Sequence, residues 1–473
     1  MRNKILNVWR GSTTFIRNSK SKTKNFFRNK QLLTKILYTL LLLLIFRIAA
    51  TITVPGVKAF NTNAATDPSS FLGLMDMMGG GAIKRFSIVA LGISPYITAS
   101  ILMTILQSEF FPPIHRLANS GAAGRRKINI ITRWLTLIFG IFQAITIAKS
   151  FESQGFLTII PELNKPWFIY FGIPTILLAG SMFTLFLGEQ ITQKGVGNGT
   201  SLIIFSGVAV GLPSKFKLAY DFFVSSNGGA STFVGIVNFV GYISLFLVLI
   251  FVIAYIYKSE RHIPLQQTGR GLTQDKARMS RLPIKVNTAG VMPVMFAALI
   301  VVIPLQVAQL LPRYSESRFW IEHNMRFTDP IGLSLYIAVI MVFTLIMSIL
   351  IFTPSKVAEN FSKNGTFIPG VRPGEETEVY LTKVLLRLAV FSALFLAVIS
   401  ASSYIEQILG MDRNITFSGT SLIILVSVSI ETLNQIKTRG KSGKITKIQN
   451  NKTTSKTKKG VKKEDNSTGG LLW

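Results

Sequence analysis

Ten apolar runs dominate this chain, and each is read as a membrane span. They fall at 32–54, 87–106, 130–148, 167–187, 200–212, 234–257, 290–311, 331–352, 384–401 and 417–430. A helix needs about 20 apolar residues to cross the hydrocarbon core, so runs of this kind commit a chain to a bilayer. The charges then set the orientation. Of the 51 Lys and Arg residues, 36 fall on one side of the membrane, 11 on the other and four inside spans. Cytoplasmic segments retain Lys and Arg, whereas short exported loops tend to lack them. The richer side is therefore inside, and an even number of spans puts both termini there. A net charge of +30 taken alone points to a nucleic-acid binder. On a chain that is 49% hydrophobic and 15% charged, it decorates a membrane protein.

The organisation follows from the spans. Residues 1–31 form a basic cytoplasmic leader, 32–212 a first half with spans one to five, and 213–233 an external linker. Residues 234–430 form a second half with spans six to ten, and 431–473 a basic tail expected to be disordered. The leader carries Ile5, Leu6, Trp9, Phe15, Phe26 and Phe27 among its Lys and Arg residues. That mixture suits an amphipathic helix on an anionic membrane surface, with a plain basic leader as the alternative. The first run is read as a retained span, because Arg47 interrupts it and no small-x-small cleavage site follows. Lys35, Arg133 and Arg387 lie near span ends and are expected to snorkel. Arg47 lies deeper, and snorkelling and a structural pairing fit it equally.

No feature here has the makings of a catalytic centre. Cysteine is absent, which removes disulfides and thiolate metal sites. His115, His262 and His323 form no tight ligand cluster, so no metal or other cofactor is expected. Gly440, Lys441 and Ser442 look like the end of a P-loop, but Gln435 stands where its first glycine belongs. Gly195, Gly197 and Gly199 do not follow a strand. All 21 acidic residues lie in loops, tails or at span ends. Ion-coupled transporters keep carboxylates inside the bundle as relays, and this chain has none there.

The most telling internal feature is a repeat. Gly199 to Ile204 reads Gly-Thr-Ser-Leu-Ile-Ile at the start of span five, and Gly419 to Ile424 repeats it at the start of span ten. Span two begins Gly92-Ile-Ser-Pro-Tyr-Ile-Thr-Ala, and span seven begins Gly290-Val-Met-Pro-Val-Met-Phe-Ala. Their Gly, Pro and Ala positions coincide. Spans two and five of the first half thus echo spans two and five of the second, and an odd repeat length inverts the second half. Inverted repeats place their site at the interface near the midplane, among short or Gly/Pro-interrupted segments. Spans five and ten are the two shortest runs, and spans two and seven each carry an early Gly and Pro. Ile97, Ile204, Met295 and Ile424 stand at matched places in those four spans. A ring of aliphatic side chains excludes water and ions by dewetting yet parts around a passing object. Ordinary helix packing is the competing explanation, and the repeat symmetry lifts these four above it.

At these residues the chain resembles the SecY/Sec61α family, in its bacterial form. The resemblance rests on Ala90-Leu-Gly-Ile-Ser-Pro-Tyr-Ile-Thr-Ala-Ser100, Gly188-Glu-Gln-Ile-Thr-Gln-Lys-Gly-Val-Gly-Asn-Gly199, Leu282-Pro-Ile-Lys-Val-Asn-Thr-Ala-Gly290 and Phe367-Ile-Pro-Gly-Val-Arg-Pro-Gly374. It covers roughly residues 30–437 in order. It implies an all-α membrane protein of ten transmembrane helices, in two inverted five-helix halves around a central pore. It implies the central subunit of a protein-conducting channel in the bacterial plasma membrane, passive and without enzymatic activity. The pore ring then falls on Ile97, Ile204, Met295 and Ile424, with Ile93, Ile101 and Thr200 close by. Thr200 departs from the aliphatic residue usual in the family, which implies a more polar waist.

The same resemblance implies a plug at 71–85, drawing on Phe71, Leu74, Met75 and Met77. The consecutive Gly79, Gly80 and Gly81 offer it a mobile connection. Spans two and seven, with three and eight, would form a lateral gate releasing membrane helices into lipid. The cytoplasmic loops would receive a ribosome or the SecA motor through Arg261, Arg270, Lys276, Arg278, Arg281 and Arg372. Orientation alone also explains many of these charges. The implied small membrane partners are SecE and SecG, and the nascent polypeptide and membrane lipid complete the set. The alternatives are an accessory paralogue with restricted substrates and, further off, an inverted-repeat secondary transporter. The loop 188–199 has the single lysine Lys194 beside Glu189, a low charge expected to reflect a pore entrance.

Overall fold

The structure, a computed structural model, describes residues 30–59, 82–107, 111–153, 157–159, 165, 167–225, 232–267, 280–312, 315–325, 329–408 and 415–439. The expected amphipathic leader, the plug through Gly81, Arg270, Lys276, Arg278 and the tail beyond Arg439 lie outside these residues. Lipid imposes helix, because only a helix or a closed barrel pairs every backbone N–H and C=O without water. The first half runs α1 (Lys30–Ala49), β1 (Val57–Ala59), α2 (Ser94–Leu106), α3 (Pro112–Asn119), α4 (Gly121–Ser153), β2 (Leu157–Ile159), α5 (Ile173–Lys194) and α6 (Gly199–Tyr220). The second runs α7 (Thr232–Lys258), β3 (Glu260–Gln267), β4 (Ser280–Lys285), α8 (Met292–Leu310), α9 (Glu316–Asn324), α10 (Pro330–Phe352), α11 (Pro354–Lys363), β5 (Thr366–Phe367) and α12 (Glu375–Ile408). It closes with α13 (Gly419–Arg439). Among the described residues eight helices are long and apolar enough to cross a membrane, and α2 and α8 are shorter apolar helices. These ten stand where the ten apolar runs stand.

Several helices outrun their runs. α6 continues through Pro213 to Tyr220, a π-helical turn follows at Asp221–Ser225, and α7 begins at Thr232. The expected linker 213–233 is therefore mostly helix. α5 extends to Lys194, which shrinks the expected 188–199 loop to Gly195–Asn198. Spans five and ten, the two shortest apolar runs, are full helices of 22 and 21 residues. Apolarity ends where hydrocarbon ends, but a helix needs only continued backbone pairing and runs on into the polar zone.

The interrupted spans are two and seven, and they are interrupted alike. Gly92 and Gly290 both adopt left-handed φ, +51° and +69°, two residues before their helices start. Only glycine enters that region without strain. Pro95 and Pro293 then occupy the first turns of α2 and α8, where a missing N–H does no harm. Ile97 N–H bonds the Ile93 carbonyl, and Met295 N–H bonds the Val291 carbonyl, at equivalent places. The second repeat matches as closely. Leu202 N–H bonds Asn198 and Leu422 N–H bonds Ser418, one helical turn back. A Cβ on Gly199 would overlap the carbonyl of Gly188 in α5, and one on Gly419 would overlap the carbonyl of Ile399 in α12. Each glycine lets the last span of its half lie directly on the backbone of the span before it.

Many hydroxyls inside spans are satisfied by their own helix. Thr132, Thr136, Thr184, Thr344 and Ser348 each donate to the carbonyl four residues earlier. Where α6 meets α7, Phe216, Tyr242, Phe246 and Phe417 pack as one aromatic group, with Tyr242 stacked on Phe417 at 4.8 Å. The Tyr242 hydroxyl donates to the Ile415 carbonyl at 2.7 Å. Elsewhere α8 packs against α2 and α4, forming a seam between the halves. The loops after spans six and eight contain a sheet that the sequence did not signal. β3 pairs antiparallel with β4, and its end pairs with β5, joining the loop after span six to the loop after span eight.

Two glycine substitutions should separate strain from overlap. At Gly290 the space for a Cβ is open, so Gly290→Ala should lower stability only by the left-handed strain, about 1–2 kcal/mol. Gly419→Ala must displace backbone and should lower the thermal unfolding midpoint in detergent by more.

Candidate functional site

The matched spans converge on an apolar waist. Ile93, Ile97 and Ile101 recur every four residues and so share one face of span two. They lie in one apolar cluster with Ile204 of α6, Met295 of α8 and Ile424 of α13. Leu42 and Phe46 of α1, Ile191 of α5 and Leu299 of α8 also belong to it. The five isoleucines are each no more than 8% exposed, so water has little access to them. Their aliphatic side chains, with Met295, offer a small polar solute no hydrogen-bond partner.

Thr200, expected beside this ring, spends its polarity elsewhere. Its hydroxyl donates to Asn198 Oδ1 at 2.7 Å, and its N–H is capped by the same oxygen. At the matched position Thr420 bonds Ser418 at 2.7 Å. Both threonines are helix-start residues, so a hydroxyl at position 200 does not place a polar group in the apolar cluster.

The loop Gly195–Asn198 joins α5 to α6 and is held by two other helices, α1 and α13. Val196 N–H donates to Thr39 of α1 at 3.0 Å. Gly197 N–H donates to Gln435 of α13 at 3.2 Å, and Arg439 donates to the Gly195 carbonyl at 2.6 Å. Nearby, Arg133 departs from the expected snorkelling. Its guanidinium donates twice to Glu189, at 3.1 and 2.7 Å, tying α4 to α5. The bidentate fit explains why an arginine stands there. Lys35 and Arg387 are exposed, and Arg47 is half-buried.

The second candidate region is a platform built from the loops after spans six and eight. Ile263, Leu265 and Ile284 of the sheet pack with Ile368, Leu381 and Leu385 as a separate apolar core. Arg261 on β3 and Arg281 on β4 are exposed on this sheet. Arg372 sits between left-handed Gly370 and Gly374, at φ +84° and +102°. Its carbonyl accepts from the Thr377 hydroxyl at 2.7 Å, and its N–H donates to Glu376. The side chain is 87% exposed, with Glu376 a distant 3.9 Å away. A rigid backbone thus presents a guanidinium outward. The sequence signal for the sheet was weak, since apolar Ile263 and Leu265 alternate for only a few residues.

Comparison with known proteins decides the family. The SecY family model matches residues 87–433. The protein translocase subunit SecY of Mycoplasma capricolum subsp. capricolum is 40% identical over 441 residues, covering 89% of this chain and 91% of the relative. The chain belongs to the SecY family. The SecY of Streptococcus gordonii is 38% identical over 420 residues, covering 88% of this chain and 95% of that protein. Among solved structures, one described as a protein conducting channel superposes with a TM-score of 0.60 at 19% identity, covering 86% of this chain and 92% of its own. Sec61 in a canine ribosome-channel complex from the endoplasmic reticulum gives 0.56 at 18% identity, with the same coverage. The SecY fold is thus a multi-pass helical channel fold, and the apolar helices among the described residues are consistent with it.

The Arg133–Glu189 contact can be checked by a double-mutant cycle. Both groups are partly exposed, so R133Q and E189Q should show a coupling of at most about 1 kcal/mol in thermal unfolding of the purified protein.

Proposed function

We propose that this chain is the pore-forming subunit of a protein-conducting channel, which passes secretory polypeptides across the membrane and releases membrane helices sideways into lipid. The observation that carries the reading is the waist. Four spans related by an inverted repeat bring Ile93, Ile97, Ile101, Ile204, Met295 and Ile424 into one buried apolar cluster. Aliphatic side chains seal by excluding water and give way without breaking a bond, which suits a cargo of variable sequence. The relatives' name, protein translocase subunit, supports the same role.

The seam where α8 meets α2 and α4 is the lateral exit in this reading. Partition supplies its driving force. A Leu or Ile at a helix centre favours the bilayer by about 0.3–0.6 kcal/mol, and a Lys or Arg disfavours it by about 2.5–3.5. The channel itself is passive, and direction comes from partners on the cytoplasmic side, where both termini lie. The exposed Arg261, Arg281 and Arg372 form the docking face for the SecA motor or a ribosome, whose phosphates a guanidinium binds in a salt-dependent way. Arg270, Lys276 and Arg278 belong to the same loop. SecE and SecG are the small membrane partners. The segment 71–85 closes the outer side as a plug. The lack of mid-membrane carboxylates weighs against a secondary transporter, and an accessory paralogue differs only in clientele.

A chain without cysteine makes the test clean. Single cysteines at Ile97, Ile204, Met295 and Ile424 should each cross-link to an arrested secretory chain. Cross-links confined to lipid-facing controls such as Leu37 would remove the pore assignment. Arg372→Glu should reduce motor- or ribosome-driven export at least tenfold while leaving the thermal midpoint unchanged. Normal export in that variant would take Arg372 off the docking face.

A further inference from the structure

The two short cytoplasmic helices α3 and α11 meet across the seam. α3 follows span two directly, and α11 follows span eight through Thr353, whose left-handed φ of +44° turns the chain. Lys356 Nζ on α11 donates to Asn119 Oδ1 at the end of α3, at 3.0 Å across 237 residues of sequence. An ammonium only donates, so the Asn119 atom facing it is the carbonyl oxygen. That orientation leaves Asn119 Nδ2 at 2.9 Å from His115 Nε2. The amide nitrogen also only donates, so Nε2 accepts and carries no proton. The ring proton then sits on Nδ1, which donates to the carbonyl of Gln107 at 2.9 Å. Gln107 is the cap residue at the end of α2. The donors thus all point one way, from Lys356 through Asn119 and His115 to the end of span two.

We infer that Lys356, Asn119 and His115 form a clasp across the cytoplasmic mouth of the seam, which must let go before the seam parts. The inference rests on reading that seam as the lateral exit. Its far end is anchored to the platform. Val357 and Phe361 of α11 pack on the same apolar core as Ile263, Leu265 and Ile284, and Ala358 is buried. A load on the docking face therefore reaches α11, and through Lys356 it reaches the end of span two. Lys356 and Asn119 are exposed, so their bond is weak enough to yield. Solvent screening reduces an exposed hydrogen bond to a charged group to the strength of an ordinary one, which biases an equilibrium by a factor of about three to ten. That strength suits a gate held shut at rest and opened by a partner. His115 is a positioning residue, because it holds the Asn119 amide in the orientation that Lys356 needs.

The test reads the width of the mouth in the full channel complex reconstituted in lipid. Spin labels on A122C and S355C flank the clasp without belonging to it. K356M and N119L should each raise the wide-mouth population about threefold to tenfold, and the double variant should go no further than either single one. N119D keeps an acceptor for Lys356 and should keep the mouth narrow. H115F should produce part of the shift. Unchanged widths in K356M and N119L would overturn the clasp, as would a double variant whose shift is the sum of the two. The widths are read without a translocating chain. Failure of the clasp is therefore distinguishable from failure of the channel reading, which the pore cross-links address.

Discussion

Peptide groups buried in hydrocarbon lose water as a partner, at several kcal/mol for each N–H or C=O left unpaired. The described architecture is a set of answers to that demand. Most of the described chain is helix, and many of the hydroxyls in these spans turn back onto their own helix, as Thr132, Thr184 and Thr344 do. The backbone departs from helix at membrane depth just before α2 and α8, and there it is enclosed by protein. Val89 and Ile93 beside Gly92 are fully buried, and Ala289 beside Gly290 is too. The interruptions are tolerated because other spans replace the missing solvent.

Those interruptions are also what bring the waist together. Each left-handed glycine restarts its span within the protein, and the restarted helix delivers its first turn to the cluster. Ile97 and Met295 occupy equivalent rungs of those first turns. Gly199 and Gly419 do the complementary job on spans five and ten. By removing a Cβ they let these helices lie on the carbonyls of Gly188 and Ile399. The repeat is therefore a repeat of backbone conformation and close approach, and the aliphatic side chains at the interface follow from it.

Much of this was legible because membrane spans and left-handed glycines leave strong local marks. The ten runs, the repeat and its apolar meeting point needed only hydropathy, Gly and Pro. Helix ends were less legible, since Tyr220 and Arg439 extend their helices on backbone pairing that carries no apolar signature. The Arg133–Glu189 pair was missed because the partners lie on different spans 56 positions apart. Snorkelling needs only the arginine, whereas a bidentate pair needs tertiary packing that a single sequence does not display. The sheet of β3, β4 and β5 was missed for a similar reason. β5 is two residues long, and it exists only because β3 offers it an edge.

The short loop before α6 has a consequence for biosynthesis. Gly197 N–H finds its acceptor on Gln435, 238 positions downstream, and the Gly195 carbonyl finds Arg439 still later. A chain made from its N-terminus reaches the membrane with this loop's groups unmatched. Until the last helix emerges, water or a passing helper must serve them. This end of the first half is therefore among the last parts to be finished, and a chain truncated before position 435 lacks what holds the loop.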